Sequence, residues 1–468
     1  MSMNVNTKKR NTLVYYAMTM AAFGGLIYWV AQAGGGLELN RVIRLPESSQ
    51  SEGFLDTLFF NGRHALAILL IQILIVILFA RICGWISSRL GQPKVVGEII
   101  AGILLGPSLF GFYFPGLQEA VFPPGSLPNL QFLSQIGLIL FMFVIGMELD
   151  LGVLHTKAKD AVVISHASII FPFTLGMILA YFMYETYAPE NIQFISFALF
   201  MGIAMSITAF PVLARIVQER GITRTRLGTI ALTCAAADDI TAWCILAAVI
   251  AIVKAGSLAN TLFTVALAVS YVLVMIYAVR PLIRKAAHRY FEKKQLDELT
   301  IVMVFFVLIA SSYMTEVIGI HALFGAFMAG AIMPEQDGFR SRFIQKVEDV
   351  AVVLLLPLFF IFTGLRTQIG LLSDLRLWIT AGAIIMVAVV GKFVGSALTA
   401  RFVGQSWKDS LSIGALMNTR GLMELIVLNI GYDLGVLSPE VFAMMVIMAL
   451  VTTMMTGPSL NLINRIYR

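Results

Sequence analysis

The chain has 468 residues, of which 59% are hydrophobic and only 13% are charged, and its mean hydropathy is +0.87. Soluble proteins carry about 25% charged residues, so this composition excludes a soluble multidomain enzyme, a disordered chain and a nucleic-acid-binding protein, despite a net charge of +6. Three cysteines without a CxxC spacing exclude a disulfide framework and a zinc site. What remains is an all-α polytopic membrane protein.

Apolar stretches of about 20 residues predict the membrane spans, because a helix of that length crosses the hydrocarbon core. The first stretch has a basic start, but its apolar run is longer than the core of a signal peptide. We therefore expect it to remain as a helix, with cleavage after Ala33 as the alternative. The fourteen predicted spans are 12–33, 64–86, 94–112, 130–149, 161–184, 192–218, 226–253, 259–280, 298–316, 318–334, 348–366, 375–401, 409–431 and 440–464.

Basic residues in the loops predict the orientation of these spans. With the N-terminus in the cytoplasm, most Lys and Arg residues fall on the cytoplasmic side, and only Lys392 and Arg420 remain inside spans. We therefore expect a multi-pass protein of the cell (inner) membrane with both termini in the cytoplasm. The polar segment 34–61 is expected to be an outside linker. It divides residues 1–63, an extra helix and its linker, from the membrane domain at 64–468.

Short motifs recur in the same order in the two halves of the chain, which predicts an internal repeat. In the predicted topology the third span runs outward and the tenth runs inward, so the two copies are inverted, as in many secondary transporters. The predicted five-helix repeats cover about 94–253 and 318–464, with linking helices at 259–316. The matched motifs are AGILLGP and AGAIMP (101–107 and 329–334), Gly146 and Gly364, and SITAFP and NTRG (206–211 and 418–421).

Two spans in matching positions of the repeats contain residues that interrupt a helix. In the sixth span, Pro211 removes a backbone N–H, and Ser206 and Thr208 offer hydroxyl oxygens beside the gap. Interrupted helices at corresponding positions indicate a binding site near the membrane midplane. The thirteenth span is interrupted by four consecutive residues that are poorly suited to lipid: Asn418, Thr419, Arg420 and Gly421.

Adjacent carboxylates, Asp238 and Asp239, lie about half-way along the seventh span, and Lys392 lies mid-way along the twelfth. One charge at the bilayer centre costs about 2.5–3.5 kcal/mol on insertion scales, so this cluster requires an explanation. A carboxylate in a cavity of low dielectric takes up a proton readily. When ionised, it is also an oxygen ligand for a monovalent cation. Proton and cation would then compete for one site, as antiport requires. The alternative is a structural salt bridge between Lys392 and Asp238.

Arg420 and Glu424 are four residues apart on the thirteenth span and could pair with each other. They could equally act as a gate. Arg420 or Lys392 could also compensate the negative end of a broken helix. These alternatives remain open at the level of the sequence.

Five ordered motifs together resemble the monovalent cation/proton antiporter-2 family, which includes bacterial Na⁺/H⁺ antiporters, Kef-type potassium efflux proteins and plant cation/H⁺ exchangers. The resemblance covers residues 64–464 and implies the sodium/proton antiporter-like fold, with two crossed broken helices. The motifs are GEIIAGILLGPSLFG (97–111), SITAFPVLARI (206–216), AAADDITAW (235–243), GIHALFGAFMAGAIMP (319–334) and NTRGLMELIVLNIG (418–431).

The resemblance also implies roles for particular residues. In relatives with an Asp-Asp pair the second carboxylate binds the ion, which here is Asp239, and the first pairs with a lysine, which places Asp238 with Lys392. Thr208 and Ser206 fall where the family supplies oxygens beside the breaks. The resemblance further implies a homodimer with a mobile six-helix core and elevator-like alternating access. Because electrogenic relatives carry Asp-Asp, we expect electrogenic exchange of two protons per cation.

The function expected from the sequence is therefore exchange of Na⁺ or K⁺ for protons, without a cofactor other than the transported ions and without enzymatic activity. One alternative is a gated potassium efflux protein of Kef type, although the chain ends at Arg468 without the nucleotide-binding domain of those proteins. A second is a sodium-coupled solute symporter. The sequence does not distinguish Na⁺ from K⁺, because both ions would be bound by nearly identical oxygen ligands.

Overall fold

The computed structural model describes residues 3–35, 37, 53, 60–148, 159–222, 225–255, 258–290, 298–334 and 339–467. Within these ranges the chain is helical, with turns and short loops, and contains no strand. Most of the predicted linker at 34–61 lies outside the described residues.

The helices follow the predicted spans closely, and we number them accordingly. Eleven are long and apolar enough to cross a membrane among the described residues, and the other three predicted spans are a short helix and two broken ones. The helices are α1 (Met3–Gly35), α2 (Ala65–Arg89), α3 (Lys94–Leu105), α4 (Leu127–Glu148), α5 (Lys159–Tyr187), α6a (Phe194–Ser206), α6b (Phe210–Glu219), α7 (Arg226–Ala255), α8 (Leu258–Val274, continued to Tyr290), α9 (Glu298–Ile318), α10 (Ala322–Ala331), α11 (Phe339–Glu348, continued to Arg366), α12 (Leu375–Val389, continued to Phe402), α13a (Trp407–Met417), α13b (Leu422–Asp433) and α14 (Pro439–Ile466).

The chain divides into two compact units, Met1–Ala67 and Ile68–Arg468. In the first unit, the side chains of α1 from Val14 to Ala33 are all exposed although the segment is strongly apolar. A helix that is apolar on every side is suited to lipid rather than water. This unit therefore has the character of a membrane span.

Local sequence signals set several helix ends in the second unit. The Ser406 hydroxyl accepts a hydrogen bond from the N–H of Asp409 (3.0 Å) and so caps α13a, and Ser438 caps α14 immediately before Pro439. Gly435, with φ of +69°, follows α13b in the left-handed conformation that commonly ends a helix. These two caps and one glycine turn thus fix the starts of α13a and α14 and the end of α13b.

Within the second unit the helices pack in two groups of six. One group, which we call the scaffold group, contains α2, α3, α4, α9, α10 and α11. The other, the core group, contains α5, α6, α7, α12, α13 and α14, and includes both broken helices. α8 contacts α7 on one side and α9 on the other.

Glycines allow very close helix contacts in the scaffold group. A Cβ on Gly102 of α3 would lie 2.3 Å from the carbonyl oxygen of Ile361 in α11, and one on Gly364 of α11 would lie 2.5 Å from that of Ile99 in α3. Such distances leave no space for a side chain, so the two backbones touch directly. The residues match across the predicted repeats, where Gly102 corresponds to Gly330 of α10 and Gly364 to Gly146 of α4.

The same contact recurs between α10 and α4. A Cβ on Gly330 would lie 2.1 Å from the carbonyl oxygen of Phe143, and one on Gly146 would lie 2.2 Å from that of Phe327. The α3–α11 contact and the α10–α4 contact are therefore the same contact made by the two repeats. This reciprocity supports the inverted repeat.

The correspondence extends one helix beyond the predicted repeats. A Cβ on Gly97 of α3 would lie 2.3 Å from the carbonyl oxygen of Cys83 in α2, and one on Gly325 of α10 would lie 2.4 Å from that of Ser311 in α9. The spacing between the two residues is the same in both pairs. α2 therefore corresponds to α9, which leaves α8 as the helix between the two copies.

We expect Gly330→Ala to lower the thermal stability of the detergent-solubilised protein by several degrees, because the added methyl group meets backbone atoms that cannot move aside. Gly382→Ala on α12 is the matched control, since nothing lies within 4 Å of its Cβ position and alanine favours a helix by about 1 kcal/mol relative to glycine. Melting followed by size-exclusion chromatography compares the two variants. Equal melting temperatures would contradict the close contact.

Candidate ion-binding site

The two broken helices cross near the middle of the core group, and the prediction of crossed breaks is confirmed. Between α6a and α6b the backbone is extended, and the N–H of Ala209 donates a hydrogen bond to the carbonyl oxygen of Thr419 (3.1 Å). The hydroxyl oxygen of Thr208 lies 3.3 Å from the carbonyl oxygen of Met417, the last residue of α13a. Pro211 lies in the first turn of α6b, where a missing N–H leaves no helical hydrogen bond unmade.

Cations compensate the negative end of α6a. The Arg420 guanidinium donates to the carbonyl oxygens of Ala204 (3.0 Å) and Met205 (2.7 Å), and the Lys392 ammonium donates to that of Ser206. Carbonyls at the end of a helix have no partner within it and carry partial negative charge. Arg420 and Lys392, which the sequence suggests for compensating the negative end of a broken helix, therefore both make such contacts.

Arg420 also pairs with Glu424 inside the core group. Its Nη1 lies 3.2 Å from Oε1 of Glu424, and both side chains are fully buried. The hydroxyl of Thr419 contacts that of Thr456 on α14 (3.2 Å), and Oδ1 of Asn418 is buried without a hydrogen-bond partner. Arg420 thus joins the end of α6a to the start of α13b.

Asp238 is surrounded by hydrogen-bond donors. Its Oδ1 accepts from Ser165 (2.6 Å), and its Oδ2 accepts from Ser168 (2.6 Å) and Thr208 (2.8 Å). Lys392 Nζ lies 3.0 Å from the same Oδ2 and completes a fully buried ion pair. Three hydroxyls and one ammonium therefore surround this carboxylate and replace the water that it would bind at a surface.

Lys392 is held from several sides at once. In addition to Asp238 and Ser206, its ammonium donates to the carbonyl oxygen of Ser168 (2.9 Å). It lies in the π-helical turn Val390–Val394 of α12, and such turns are frequent at functional sites. The ion pair expected from the sequence is present, and its role in transport stays a prediction.

Asp239, the adjacent carboxylate, has a very different environment. It is 1% exposed, and neither of its oxygens has a hydrogen-bond partner. The N–H of Phe210, at the start of α6b, faces it without reaching hydrogen-bond geometry. An ionised carboxylate buried without a partner is strongly unfavourable, so this position calls for a proton or a cation.

A charge count shows why Asp239 is distinct. Lys392 pairs with Asp238, and Arg420 pairs with Glu424, so each cation of this buried cluster is matched by one carboxylate. Asp239 is the carboxylate of this cluster that has no paired cation. With all five groups ionised, the cluster carries one net negative charge, which one monovalent cation or one proton would neutralise.

The hydroxyls predicted as ion ligands are engaged elsewhere in this structure. The Ser206 hydroxyl donates to the backbone carbonyl oxygens of Ile169 (3.1 Å) and Gly202 (2.7 Å). The Thr208 hydroxyl is bound to Asp238. Neither is hydrogen-bonded to Asp239, so their role as ligands stays a prediction.

Sequence reasoning missed the two serines of α5. Ser165 and Ser168 are three residues apart and therefore share a face of the helix. Two small polar residues at this spacing in an apolar span could have indicated a buried polar partner. Their partner Asp238, however, is some 70 residues further along the chain, and no local pattern identifies it.

A cavity of about 420 Å³ leads toward this site from one end of the membrane domain. Its walls come from both helix groups: Lys94, Phe141 and Glu148 belong to the scaffold group, whereas Phe210 and Val212 belong to α6b. Because the backbone of Phe210 faces Asp239, the cavity reaches the neighbourhood of the unpaired carboxylate.

Comparison with known proteins places this arrangement among cation/proton exchangers. The family model described as sodium/hydrogen exchanger, transmembrane, matches residues 74–465. The Na(+)/H(+) antiporter NhaS4 of Synechocystis is 43% identical over 396 residues, covering 84% of this chain and 97% of that protein. Cation/H(+) antiporter 17 of Arabidopsis thaliana (42% identical) and K(+)/H(+) antiporter 1 of Saccharomyces cerevisiae (32%) are matched over 84% and 86% of this chain, but over only 48% and 47% of their own lengths.

The same fold occurs in a solved structure. The sodium proton antiporter MjNhaP1 from Methanocaldococcus jannaschii aligns with a TM-score of 0.59 over 85% of this chain and 96% of that one. Only 14% of the aligned residues are identical, so this likeness concerns the fold alone.

We expect Lys392→Met to destabilise the protein by about 3–5 kcal/mol, because it leaves Asp238 as a buried charge without its counter-ion. Combining it with Asp238→Asn should recover a large part of the loss. Lys408→Met, at an exposed lysine of α13a, is the control and should change little. Thermal melting in detergent measures all three variants. A failure of the double variant to recover stability would contradict the pairing.

Proposed function

Because the chain belongs to the sodium/hydrogen exchanger family, we propose that it exchanges Na⁺ or K⁺ for protons across the membrane, with Asp239 binding both ions in turn. The family consists of transporters rather than enzymes, and the ions are substrates rather than cofactors. The observation that carries the proposal is the buried carboxylate of Asp239, which has neither a hydrogen-bond partner nor a paired cation, beside two buried ion pairs.

The chemistry of the exchange follows from that single charge. While Lys392 keeps its charge, a cation or a proton at Asp239 neutralises the cluster, and the two ions compete for one carboxylate. A buried carboxylate with neither ion is unfavourable. The forms of Asp239 that carry a cation or a proton are therefore the ones that can change their exposure from one side to the other, which couples cation movement in one direction to proton movement in the other.

We further propose that access alternates by movement of the core group against the scaffold group. The division of the helices into two groups supports this, as does a cavity between them that reaches toward Asp239 from one end. Broken helices at the site supply backbone groups that can bind an ion without an unfolded segment facing lipid. From the family resemblance we also propose that the transporter is a homodimer.

The exchange is proposed to be electrogenic, with two protons per cation. Asp239 carries one proton, and Lys392 carries the second and releases it when the cation arrives. The cation-loaded cluster then keeps one net negative charge whereas the proton-loaded cluster is neutral, so each cycle moves one charge. The three hydroxyls on Asp238 support this assignment, because they continue to solvate that carboxylate after Lys392 loses its charge.

We propose that the cavity opens to the cytoplasm and that both termini lie there, in the inner membrane of the cell. The cavity is lined by Lys94, and Arg89 at the end of α2 precedes it by a short turn. Basic residues at that end agree with the tendency of cytoplasmic loops to carry Lys and Arg.

Transport by the reconstituted protein tests the proposal. Jumps of Na⁺ or K⁺ on a solid-supported membrane should give a transient current for at least one ion. Asp239→Asn should abolish it, since the amide can neither carry a proton nor offer a charged ligand. Asp374→Asn, at an exposed aspartate, should retain at least about half of the current.

Two other results would be decisive. A change of internal pH without charge movement would contradict electrogenic exchange but leave antiport intact. Absence of both signals for both ions, in vesicles containing folded protein, would contradict the antiporter.

A further inference from the structure

Opposite the α6b cavity, three side chains form a closed ring between the two helix groups. Arg366 Nη1 lies 2.7 Å from Oδ1 of Asp433, and its Nη2 donates to Oε1 of Gln131 (3.0 Å). The amide nitrogen of Gln131 donates in turn to Oδ2 of Asp433 (3.1 Å). Arg366 and Gln131 belong to the scaffold group and Asp433 to the core group, so the ring joins the parts proposed to move.

The ring lies at the other end of the membrane domain from the α6b cavity. Gln131 of the ring and Glu148 of the cavity are on the same helix, α4, seventeen positions apart. At 1.5 Å per residue they are about 26 Å apart along the helix axis. Arg366 and Glu348 on α11 are separated by a similar length.

The cleft beside the ring is wide toward the nearer end of the membrane domain and narrow toward the centre of the domain. Toward the nearer end lies a polar cavity of about 390 Å³, whose walls include Lys254, Glu316 and His321. Deeper, beside Leu138 and Ile426, the free volume falls to about 20 Å³. That space is enough for about one water molecule, so the cleft narrows sharply beside the ring.

The contacts of the ring can hold the two helix groups together and are also weak enough to separate. The Arg366 and Asp433 side chains are 18% and 36% exposed, so water can solvate both when they separate. Partly exposed ion pairs are worth up to about 1 kcal/mol, in contrast to the fully buried pairs at the site. The guanidinium also lies over the ring of Phe362, with 4.3 Å to the centroid, and this contact orients it toward Asp433.

We propose that Arg366, Asp433 and Gln131 form a latch that holds the end of the cleft nearest Arg366 closed and must open whenever Asp239 is exposed to that side. The latch rests on the alternating access proposed above. The latch adds that the Arg366–Asp433 ion pair, although far from Asp239, changes the relative populations of the two access states.

Thiol labelling tests the latch without a transport assay. In a protein whose Cys83, Cys234 and Cys244 are replaced, Ile426→Cys reports on the space behind the latch, and Val352→Cys reports on the α6b cavity. A membrane-impermeant maleimide is added from one side of the membrane at a time.

We expect Arg366→Gln or Asp433→Asn to raise the labelling rate at Ile426→Cys about five-fold and to lower the rate at Val352→Cys. The two substitutions together should do little more than Arg366→Gln alone, because both remove the Arg366–Asp433 ion pair and Arg366→Gln also removes the 3.4 Å contact with Asn429. Arg376→Gln, at an exposed arginine at the start of α12, is the control and should leave both rates unchanged.

Unchanged rates at both positions would overturn the latch, as would rates that rise at both, which would indicate a loosened fold. A different labelling result would contradict the proposed function rather than the latch. With the latch intact, Ile426→Cys and Val352→Cys must each react from one side only and from opposite sides. Labelling of both from the same side would contradict alternating access itself.

Discussion

The proposed exchange depends on one unpaired negative charge, that of Asp239, inside the core group. Asp238 and Asp239 are neighbours in sequence, yet the first receives three hydroxyls and an ammonium and the second receives no hydrogen bond. The fold therefore places its buried donors around one carboxylate and leaves the other without a hydrogen bond, which is the basis for proposing Asp239 as the ion-binding group. The surrounding pairs hold the net charge of the cluster at minus one.

That constraint explains the architecture around the site. Breaking α6 and α13 provides helix ends, and Arg420 and Lys392 compensate the end of α6a while each keeps its own carboxylate partner. Glycine contacts make the scaffold group compact and repeat with inverted symmetry, as between Gly102 and α11. A compact scaffold beside a polar core allows the two to behave as separate bodies.

Much of this could be predicted from sequence, because hydropathy, interrupted spans and intramembrane charges are local signals. They placed the breaks near Pro211 and Arg420 and singled out the Asp238–Asp239 pair. The serines of α5 and the Arg366–Asp433 contact were not predicted, since each joins residues far apart in the chain through packing that no local pattern encodes. The orientation of the Ser206 hydroxyl toward backbone carbonyls likewise depends on the neighbouring helix.

The most direct test of the central claim measures protons released when a cation binds. A pH indicator in weakly buffered detergent solution would follow additions of Na⁺ or K⁺ to the purified protein near neutral pH. The account predicts that binding releases at least one proton per cation, and that Asp239→Asn neither binds the cation nor releases the proton. Cation binding without proton release in the unsubstituted protein would contradict competition of the two ions for Asp239.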